Sequence, residues 1–290
     1  MPIDIRSLVG PSRPQPSEDP PWSRRALVGA GIAVSLSMLS KFTLGGSSST
    51  AQPLDLGGNI MPGVLEASRA LVDGRIGQAD WQAILEHDFK RTSPSDIADE
   101  MQLGGLLSQE SETRPIRGAT NVHLSLPTAL HAKLEAQAIA GFGLRLHAFR
   151  AGRANPPHAH DNVAALTYVL RGRFRVRHYD RIHVDEGETL PSPTALLKPS
   201  TLLKPSILLK PSMDRILLPG DATSFSDVRD NVHWHEAETD GVLLVVYCKD
   251  LGGFPARQVM VDPVNAQDAG GGLLRAPLVP SLGEALERFG

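Results

Sequence analysis

The 290-residue sequence has one cysteine, Cys248, few aromatic residues (5%) and no long run of charges of one sign. A single cysteine cannot form an internal disulfide or a zinc ribbon, so a disulfide scaffold and a cysteine-based metal site are excluded. Lysine and arginine number 29 against 32 aspartate and glutamate, which leaves no basic face for nucleic acid. We expect small-molecule partners, and any metal must be held by histidine or carboxylate side chains.

The sequence also lacks an apolar run long enough to span a bilayer comfortably, but residues 26–39 form a short, weakly apolar stretch directly after Arg24-Arg25. Small residues follow at Ser49 and Ala51, as a signal peptidase requires. The arginine pair partly resembles a twin-arginine export signal. We predict that residues 1–51 are a signal peptide and that the mature protein is periplasmic or secreted, without stable membrane association. An uncleaved anchor or a buried helix is the alternative.

Residues 52–115 are predicted to form a helical extension. Pro62–Leu71 and Asp80–Phe89 have the apolar spacing of helices. Ser93-Pro94-Ser95-Asp96 supplies capping residues for a third helix that ends near Met101.

From about Asn121 onward, the sequence consists of short segments with alternating apolar residues. These segments are 121–126, 141–149, 164–170, 173–179, 213–218 and 241–247. Such spacing is typical of an antiparallel sandwich or small barrel, so the predicted fold is mainly β, with one barrel over residues 116–256. Arg171-Gly172-Arg173 predicts a tight hairpin turn. Residues 257–290 are predicted as a C-terminal tail with one helix near Leu282–Arg288.

A five-residue sequence, Leu-Leu-Lys-Pro-Ser, occurs three times with a period of six, at 196–200, 202–206 and 208–212. Its prolines cannot donate a hydrogen bond to a central strand ladder. We therefore predict a low-complexity loop over residues 194–212, which leads into a strand at Met213. A hexapeptide β-helix is the alternative.

The residues with metal chemistry are concentrated in Gly152–His160, which contains His158 and His160. Side chains two apart on a strand point to the same face, so the two imidazoles are expected to converge. Imidazole suits divalent iron, copper, nickel or zinc. A His-x-His pair on a surface is the alternative.

This segment resembles the first motif of the cupin family, in which Gly, five residues, His-x-His, four residues, Glu, six residues and Gly follow one another. Gly152, His158, His160 and Gly172 match that spacing, and Ala165 stands in the place of the glutamate. The resemblance implies a jelly-roll barrel. Loss of the glutamate is shared with the thiol dioxygenases, a group that includes the cysteamine and plant cysteine oxidases, and implies a metal site made of histidines alone.

Two further stretches resemble the thiol dioxygenases. Val169–Asp180 is similar to the hairpin that follows their His-x-His, and Asp230-Asn231-Val232-His233 is similar to their Gly-Asn-x-His element. The resemblance covers roughly residues 145–250 and implies His233 as the third metal ligand. His235, two residues later, is the competing ligand. The alternative to a metal site is that these histidines only form hydrogen bonds at a polar opening of the barrel.

The resemblance also implies Fe(II), although other divalent metals fit the same ligands, together with dioxygen and a small thiol that becomes a sulfinic acid. Three candidate catalytic residues follow. Arg153, with Arg150 nearby, is expected to bind a substrate carboxylate, Tyr179 to place its hydroxyl in the pocket, and His235 to act as a base or to orient the site. The alternatives are an exposed arginine, a packed tyrosine and, for His235, a surface residue, and Cys248 is expected to be a buried strand residue. The opposing hypothesis for function is an exported, non-catalytic metal- or ligand-binding cupin.

Overall fold

A computed structural model describes residues 59–109, 121–182 and 205–290 of the chain. The predicted signal peptide and the first Leu-Leu-Lys-Pro-Ser copy lie outside these residues. Within the described residues, no helix has the length and apolar character needed to cross a membrane.

Six α-helices lie in the described part of the chain: α1 Met61–Val72, α2 Gln78–Lys90, α3 Pro94–Glu100, α4 Gly104–Gln109, α5 Thr128–Ala136 and α6 Leu282–Phe289. Helices α1, α2 and α3 coincide with the three predicted helices. The Glu100 carboxylate accepts hydrogen bonds from the backbone N–H groups of Ile60 and Met61, each at 2.9 Å. The Ser93 hydroxyl accepts one from the Asp96 N–H at 3.1 Å and caps α3. The Ser93 cap is the one that the sequence predicts, whereas the Glu100 contact ties the end of α3 to the start of α1.

Twelve β-strands lie in the same described residues: β1 Asn121–Leu124, β2 Phe142–Phe149, β3 Ala154–Asp161, β4 Val163–Arg171, β5 Phe174–Ile182, β6 Ser206–Leu217, β7 Ala222–Phe225, β8 Val232–Ala237, β9 Gly241–Lys249, β10 Arg257–Val261, β11 Gln267–Gly270 and β12 Leu273–Val279. They form two antiparallel sheets. The first has the order β1-β2-β9-β4-β7, and the second has the order β10-β3-β8-β5-β6-β12-β11.

The strand order of β2 to β9 defines the fold. Strands β2, β9, β4 and β7 are neighbours in the first sheet, and β3, β8, β5 and β6 are neighbours in the second. The chain therefore passes repeatedly between the two sheets, and strands far apart in sequence pair with each other. Eight strands connected in this way as two Greek keys form a jelly roll. The predicted mainly β jelly-roll barrel with a helical N-terminal extension is confirmed.

The helical extension covers the outer face of the first sheet. Trp81, Leu85 and Phe89 of α2 belong to the same apolar cluster as Leu166 and Tyr168 of β4. Residues 163–170 of β4 are consequently buried on both faces, which explains their almost continuous apolar sequence. Cys248 lies in this cluster and is fully buried, as expected for a structural strand residue.

The turn at Gly172 differs from the predicted hairpin. Strand β4 ends at Arg171 and β5 begins at Phe174, but the two strands belong to different sheets. Gly172 has a φ of +92°, and a Cβ at this position would lie 2.5 Å from the Cα of Gly241. The predicted tight turn at Gly172 is confirmed, but the predicted pairing of the two flanking strands is wrong. Turn residues specify a change of chain direction, but they do not specify which strand the chain joins.

The β-structure continues beyond residue 256, where the sequence predicts that the barrel ends. Strand β10 pairs with β3 and brings Met260 opposite His158, and β12 pairs with β6. Three consecutive glycines, 270–272, have positive φ and connect β11 to β12. The glycine-rich composition of residues 257–290 therefore reflects a turn between strands. The predicted helix near Leu282–Arg288 is α6.

The predicted loop over residues 194–212 is too long at its C-terminal end. Strand β6 begins at Ser206, so the third copy of the repeat lies in an internal strand, where Leu209 is fully buried. Pro211 lies opposite Tyr179, and the register shifts between His178 and Tyr179 at this point. Proline has no backbone N–H to donate, and a bulge accommodates it because the regular hydrogen bonds between the strands are interrupted there.

Candidate metal centre

His158, His160 and His233 converge inside the barrel. The first two lie on β3, and His233 lies on the neighbouring strand β8, directly opposite His158. One ligand nitrogen of each residue lies within 4.8 Å of the others. Their ring centroids are 4.2 Å apart for His158 and His233 and 4.7 Å apart for His158 and His160. The structure thus brings together the three residues predicted to hold a metal, as strand alternation and the His-x-His spacing require.

Hydrogen bonds to the backbone determine which nitrogen each imidazole presents. The Nδ1 of His158 lies 2.7 Å from the carbonyl oxygen of Pro156, and the Nδ1 of His233 lies 3.4 Å from that of Asn231. A carbonyl can only accept, so both Nδ1 atoms carry the hydrogen, and each Nε2 keeps its lone pair. Metal-binding histidines typically have such a partner on the other nitrogen. His160 has a backbone partner at Arg257.

Burial keeps these imidazoles neutral. It lowers the pKa of His158 to about 4, and burial together with the neighbouring His158 lowers the pKa of His160 to about 3. Burial and the surrounding histidines likewise lower the pKa of His233 well below its usual value. A neutral imidazole is the form that binds a metal, so protons do not compete for these ligands near neutral pH.

Phe225 of β7 packs against the ligand rings. Its ring lies nearly parallel to that of His233, with the centroids 3.6 Å apart, and is 5.7 Å from that of His160. On the neighbouring strand β4, Ala165 lies opposite Phe225 in the register and lines the same cavity. The site has alanine where the cupin motif has glutamate, so no carboxylate is supplied from this position.

The three histidines line a cavity of about 420 Å³ between the two sheets. Its wall includes apolar residues from β4 and β9 (Val163, Leu243 and Val245) and the α6 residues Leu282 and Leu286. Two cationic side chains, Arg145 and Lys249, line it, and none of the described residues in the wall is acidic. The Arg145 guanidinium carbon lies 5.0 Å from the centroid of the Tyr247 ring, whereas Lys249 forms an ion pair with Asp250. The cavity therefore favours an anionic ligand.

His235 and His147 line the same cavity but do not belong to the three-histidine group. The His235 ring is 5.5 Å from that of His233, and its Nε2 is buried without a hydrogen-bond partner. The Nε2 of His147 is buried and unpartnered as well, and burial lowers the pKa of this residue to about 3. Both side chains can therefore offer a neutral hydrogen-bonding group to a bound molecule.

The structure does not place the other two candidate catalytic residues in the cavity. Tyr179 packs in an apolar cluster with Ala159 and Val232, residues that alternate with the inward-facing histidines of β3 and β8. Its neighbour on β5, His178, faces His233 and His235 instead. Strand alternation therefore turns the Tyr179 hydroxyl away from the site.

Arg153 is an exposed residue directly before β3 and is not part of the cavity wall. The nearby Arg150 pairs with Asp240 at 2.8 Å. The arginine that faces the cavity is Arg145, which sequence reasoning missed together with His147. Both alternate with the buried residues Leu144 and Leu146 along β2, and this alternation was the available signal.

No protein-family profile matches the sequence, and a search of curated proteins finds no match. Among solved structures, an 11S globulin from Wrightia tinctoria is 13% identical with a TM-score of 0.29, and the match covers 49% of this chain and 27% of that one. An RmlC-like cupin from Shewanella frigidimarina is 16% identical with a TM-score of 0.25, over 38% of this chain and 67% of that one. KdgF from a Halomonas species is 21% identical with a TM-score of 0.24, over 38% and 70%.

This chain spans about a quarter of the length of the Wrightia globulin. The strand order itself defines the barrel as a jelly roll, the architecture of the cupins. The chain therefore has a jelly-roll barrel, an architecture that it shares with the cupins, and its three-histidine group could hold a metal ion.

Proposed function

We propose that His158, His160 and His233 hold one divalent metal ion, with Fe(II) as the native metal. The observation that carries this proposal is the convergence of three neutral imidazoles within 4.8 Å, with the Nδ1 atoms of His158 and His233 bound to backbone carbonyls. Imidazole ligands suit Fe(II) as they suit zinc, copper and nickel. The choice of Fe(II) is supported by the resemblance of the ligand motif to the thiol dioxygenases.

The proposed reaction is the oxidation of a small thiol by dioxygen. In this reaction R–SH + O₂ gives R–SO₂H: both atoms of dioxygen become bonded to sulfur, which gives up four electrons. The support is the resemblance of the ligand motif to the thiol dioxygenases, with Ala165 in place of the glutamate. A metal held by His158, His160 and His233 would lower the pKa of the thiol and promote its reaction with dioxygen.

Arg145 supplies the contact that orients the substrate. Its guanidinium lies on the Tyr247 ring in a cavity without acidic side chains among the described residues. A guanidinium binds a carboxylate through two parallel hydrogen bonds, so we infer that the substrate is an anionic thiol. His147 and His235 are neutral and can hydrogen bond to its remaining polar groups, while Val163, Leu243 and Val245 form an apolar part of the cavity wall.

The compartment in which the protein acts is proposed from the sequence pattern alone. We propose that Arg24-Arg25 and the apolar stretch after it direct export, so that the mature protein meets its substrate outside the cytoplasm.

Metal analysis and oxygen consumption test the proposal on purified protein. The wild type should contain stoichiometric iron after loading with Fe(II) under anaerobic conditions. The variants His158→Ala, His160→Ala and His233→Ala should lose the iron, and His235→Ala should keep it. His131→Ala is the matched control, because His131 is an exposed residue of α5.

Two thiols of similar size test separately whether the protein oxidises thiols and whether Arg145 selects an anionic one. With 3-mercaptopropionate, iron-loaded wild type should consume oxygen and form a sulfinic acid, and Arg145→Gln should raise KM. Cysteamine, which has an ammonium group in place of the carboxylate, should be a poor substrate. Tight iron binding without oxygen consumption for any thiol would support the non-catalytic metal-binding module instead. Retention of stoichiometric iron by folded His158→Ala would refute the site.

A further inference from the structure

Helix α2 presents three polar side chains to the barrel on one face. Gln78, Gln82 and Glu86 are four residues apart, so they lie in a row along the helix. Gln82 is fully buried: its Nε2 donates to the Ser224 hydroxyl at 3.0 Å, and its Oε1 accepts from the Ser226 hydroxyl at 2.7 Å. The central side chain of the row thus binds the end of β7 and the residue that follows it.

The two outer side chains of the row bind the same region. Gln78 exchanges two hydrogen bonds with Asp227, one from its Nε2 at 3.0 Å and one from the Asp227 backbone N–H at 2.9 Å. Glu86 accepts from the Ser224 hydroxyl at 2.5 Å and from Arg229 at 2.7 Å. Helix α2 therefore holds the segment that connects β7 to β8, which we name the 226–231 turn (residues 226–231), at its first two residues and at Arg229.

The other side of the 226–231 turn contacts the metal centre through Asn231. The Asn231 Nδ2 donates to the backbone carbonyl of His160 at 2.6 Å and to that of Ser226 at 3.1 Å. The carbonyl of Asn231 accepts from the Nδ1 of His233. One buried residue thus contacts two of the three proposed ligands.

This contact occurs where strand pairing ends. In the pairing of β3 with β8, His158 lies opposite His233 and Ala159 lies opposite Val232, and the pairing stops before His160. On the side of His160 that faces β8, the Asn231 side chain makes the contact that a further backbone pair between the two strands would otherwise make. Earlier in the pairing, the register shifts between Asn155 and His158, so the ladder is irregular on both sides of the site. On its other side, β3 pairs regularly with β10, where Gln258 lies opposite His160, so the irregular side is the one that faces β8.

We propose that Asn231 and the α2 row of Gln78, Gln82 and Glu86 are positioning residues of the metal centre. Through the 226–231 turn, the helical extension sets the direction of the His160 and His233 imidazoles. The extension is then a functional part of the site, although it packs on the opposite face of the first sheet. This inference rests on one part of the proposed function, namely that the three histidines bind a metal.

Near-isosteric substitutions in the full-length protein test the inference. Asn231→Leu removes the donor to His160, and Gln82→Met removes both hydrogen bonds from α2 to Ser224 and Ser226. Ser68→Ala is the matched control: it removes the 3.2 Å hydrogen bond from the Trp81 indole that ties α2 to α1, without touching the turn. Gln78→Met, at the less buried end of the row, provides a second α2 variant if Gln82→Met fails to fold.

The first measurement is the affinity for Co²⁺, followed by its d–d absorption, together with the Tm of the metal-free proteins. Asn231→Leu and the α2 variants should bind Co²⁺ about 10 to 100-fold more weakly, the usual effect of losing an orienting partner. Their d–d spectra should also change. Ser68→Ala should lower Tm and leave affinity and spectrum as in the wild type. Unchanged Co²⁺ affinity in folded Asn231→Leu, or an equal loss in Ser68→Ala, would overturn the inference.

The second measurement does not depend on a metal. Long-range ¹H–¹⁵N NMR of the metal-free protein reports the tautomer of each histidine, and His233 should carry its proton on Nδ1 in the wild type and in Ser68→Ala. Asn231→Leu and the α2 variants should alter the His160 and His233 signals. If wild type binds no Co²⁺ but these signals respond as described, the metal proposal fails and the positioning inference stands. Unaltered signals in the variants would refute the inference itself.

Discussion

Acid should destabilise the metal-free protein because the site histidines are buried in their neutral form. An imidazole in the unfolded chain has a pKa of 6.5, whereas burial lowers the pKa of His158 to about 4. Above pH 6.5, neither state takes up a proton at this residue, so its contribution does not vary with pH. Between pH 6.5 and about 4, only the unfolded state takes up the proton, and stability falls as the pH falls. Below about pH 4 both states are protonated, and the loss levels off.

The size of the effect follows from the two pKa values. From pH 7 to pH 5, His158 alone should reduce the free energy of unfolding by about 2 kcal/mol, since each pKa unit of difference corresponds to about 1.4 kcal/mol. Burial lowers the pKa of His160, His233 and His235 as well, so their contributions have the same sign.

Urea denaturation in the presence of a chelator measures this effect at pH 7 and pH 5. We expect the difference in unfolding free energy between the two pH values to be about 2 kcal/mol smaller in His158→Gln than in the wild type. The exposed His131→Gln should retain the wild-type difference. An identical pH dependence in His158→Gln and the wild type would show that His158 is not held neutral by burial, and the reasoning on ligand protonation would then be wrong.

Other expectations concern residues away from the ligands. Tyr179→Phe should leave metal content and oxygen consumption unchanged, because the hydroxyl lies outside the cavity; a large loss of turnover in an oxygen electrode would contradict this. Deleting the six residues Ile207–Ser212 should preserve metal content and lower Tm only slightly, since an identical five-residue copy then precedes Met213 and Thr201 replaces the partly buried Ile207. Deleting only the five residues Leu208–Ser212 places Lys204 at the buried position of Leu209, so folded protein should be lost; equal yields would contradict the register. Replacing Arg24 and Arg25 by lysine should block export, and fractionation that shows unchanged export with an intact Met1 would rule out the signal.

The sequence predicts the barrel well because alternation and turn residues are local. It also identifies the residues that converge at the site, since two histidines two apart on a strand must share a face. Which strands pair is set by contacts between distant segments, and this is why Gly172 was assigned to a hairpin and the strands after residue 256 to a tail.

The sequence also does not specify which side chains of a strand face the cavity. On β2, Arg145 and His147 alternate with Leu144 and Leu146, a pattern that ordinarily marks a polar face in solvent. Here the helical extension covers the apolar face, so the polar face lines the cavity. The same alternation places His178 inside and Tyr179 outside, but nothing local states which of the two faces inward.

The position of the third repeat copy in β6 has a consequence for how the gene can change. Repeated coding sequence gains and loses whole copies by replication slippage. Because the copy next to Met213 supplies the strand and its neighbours carry the same five residues, loss of one copy leaves another in the same register, and gain of one adds length only before the strand. Natural variants of this protein should therefore differ in copy number by whole units of six codons while keeping the barrel unchanged.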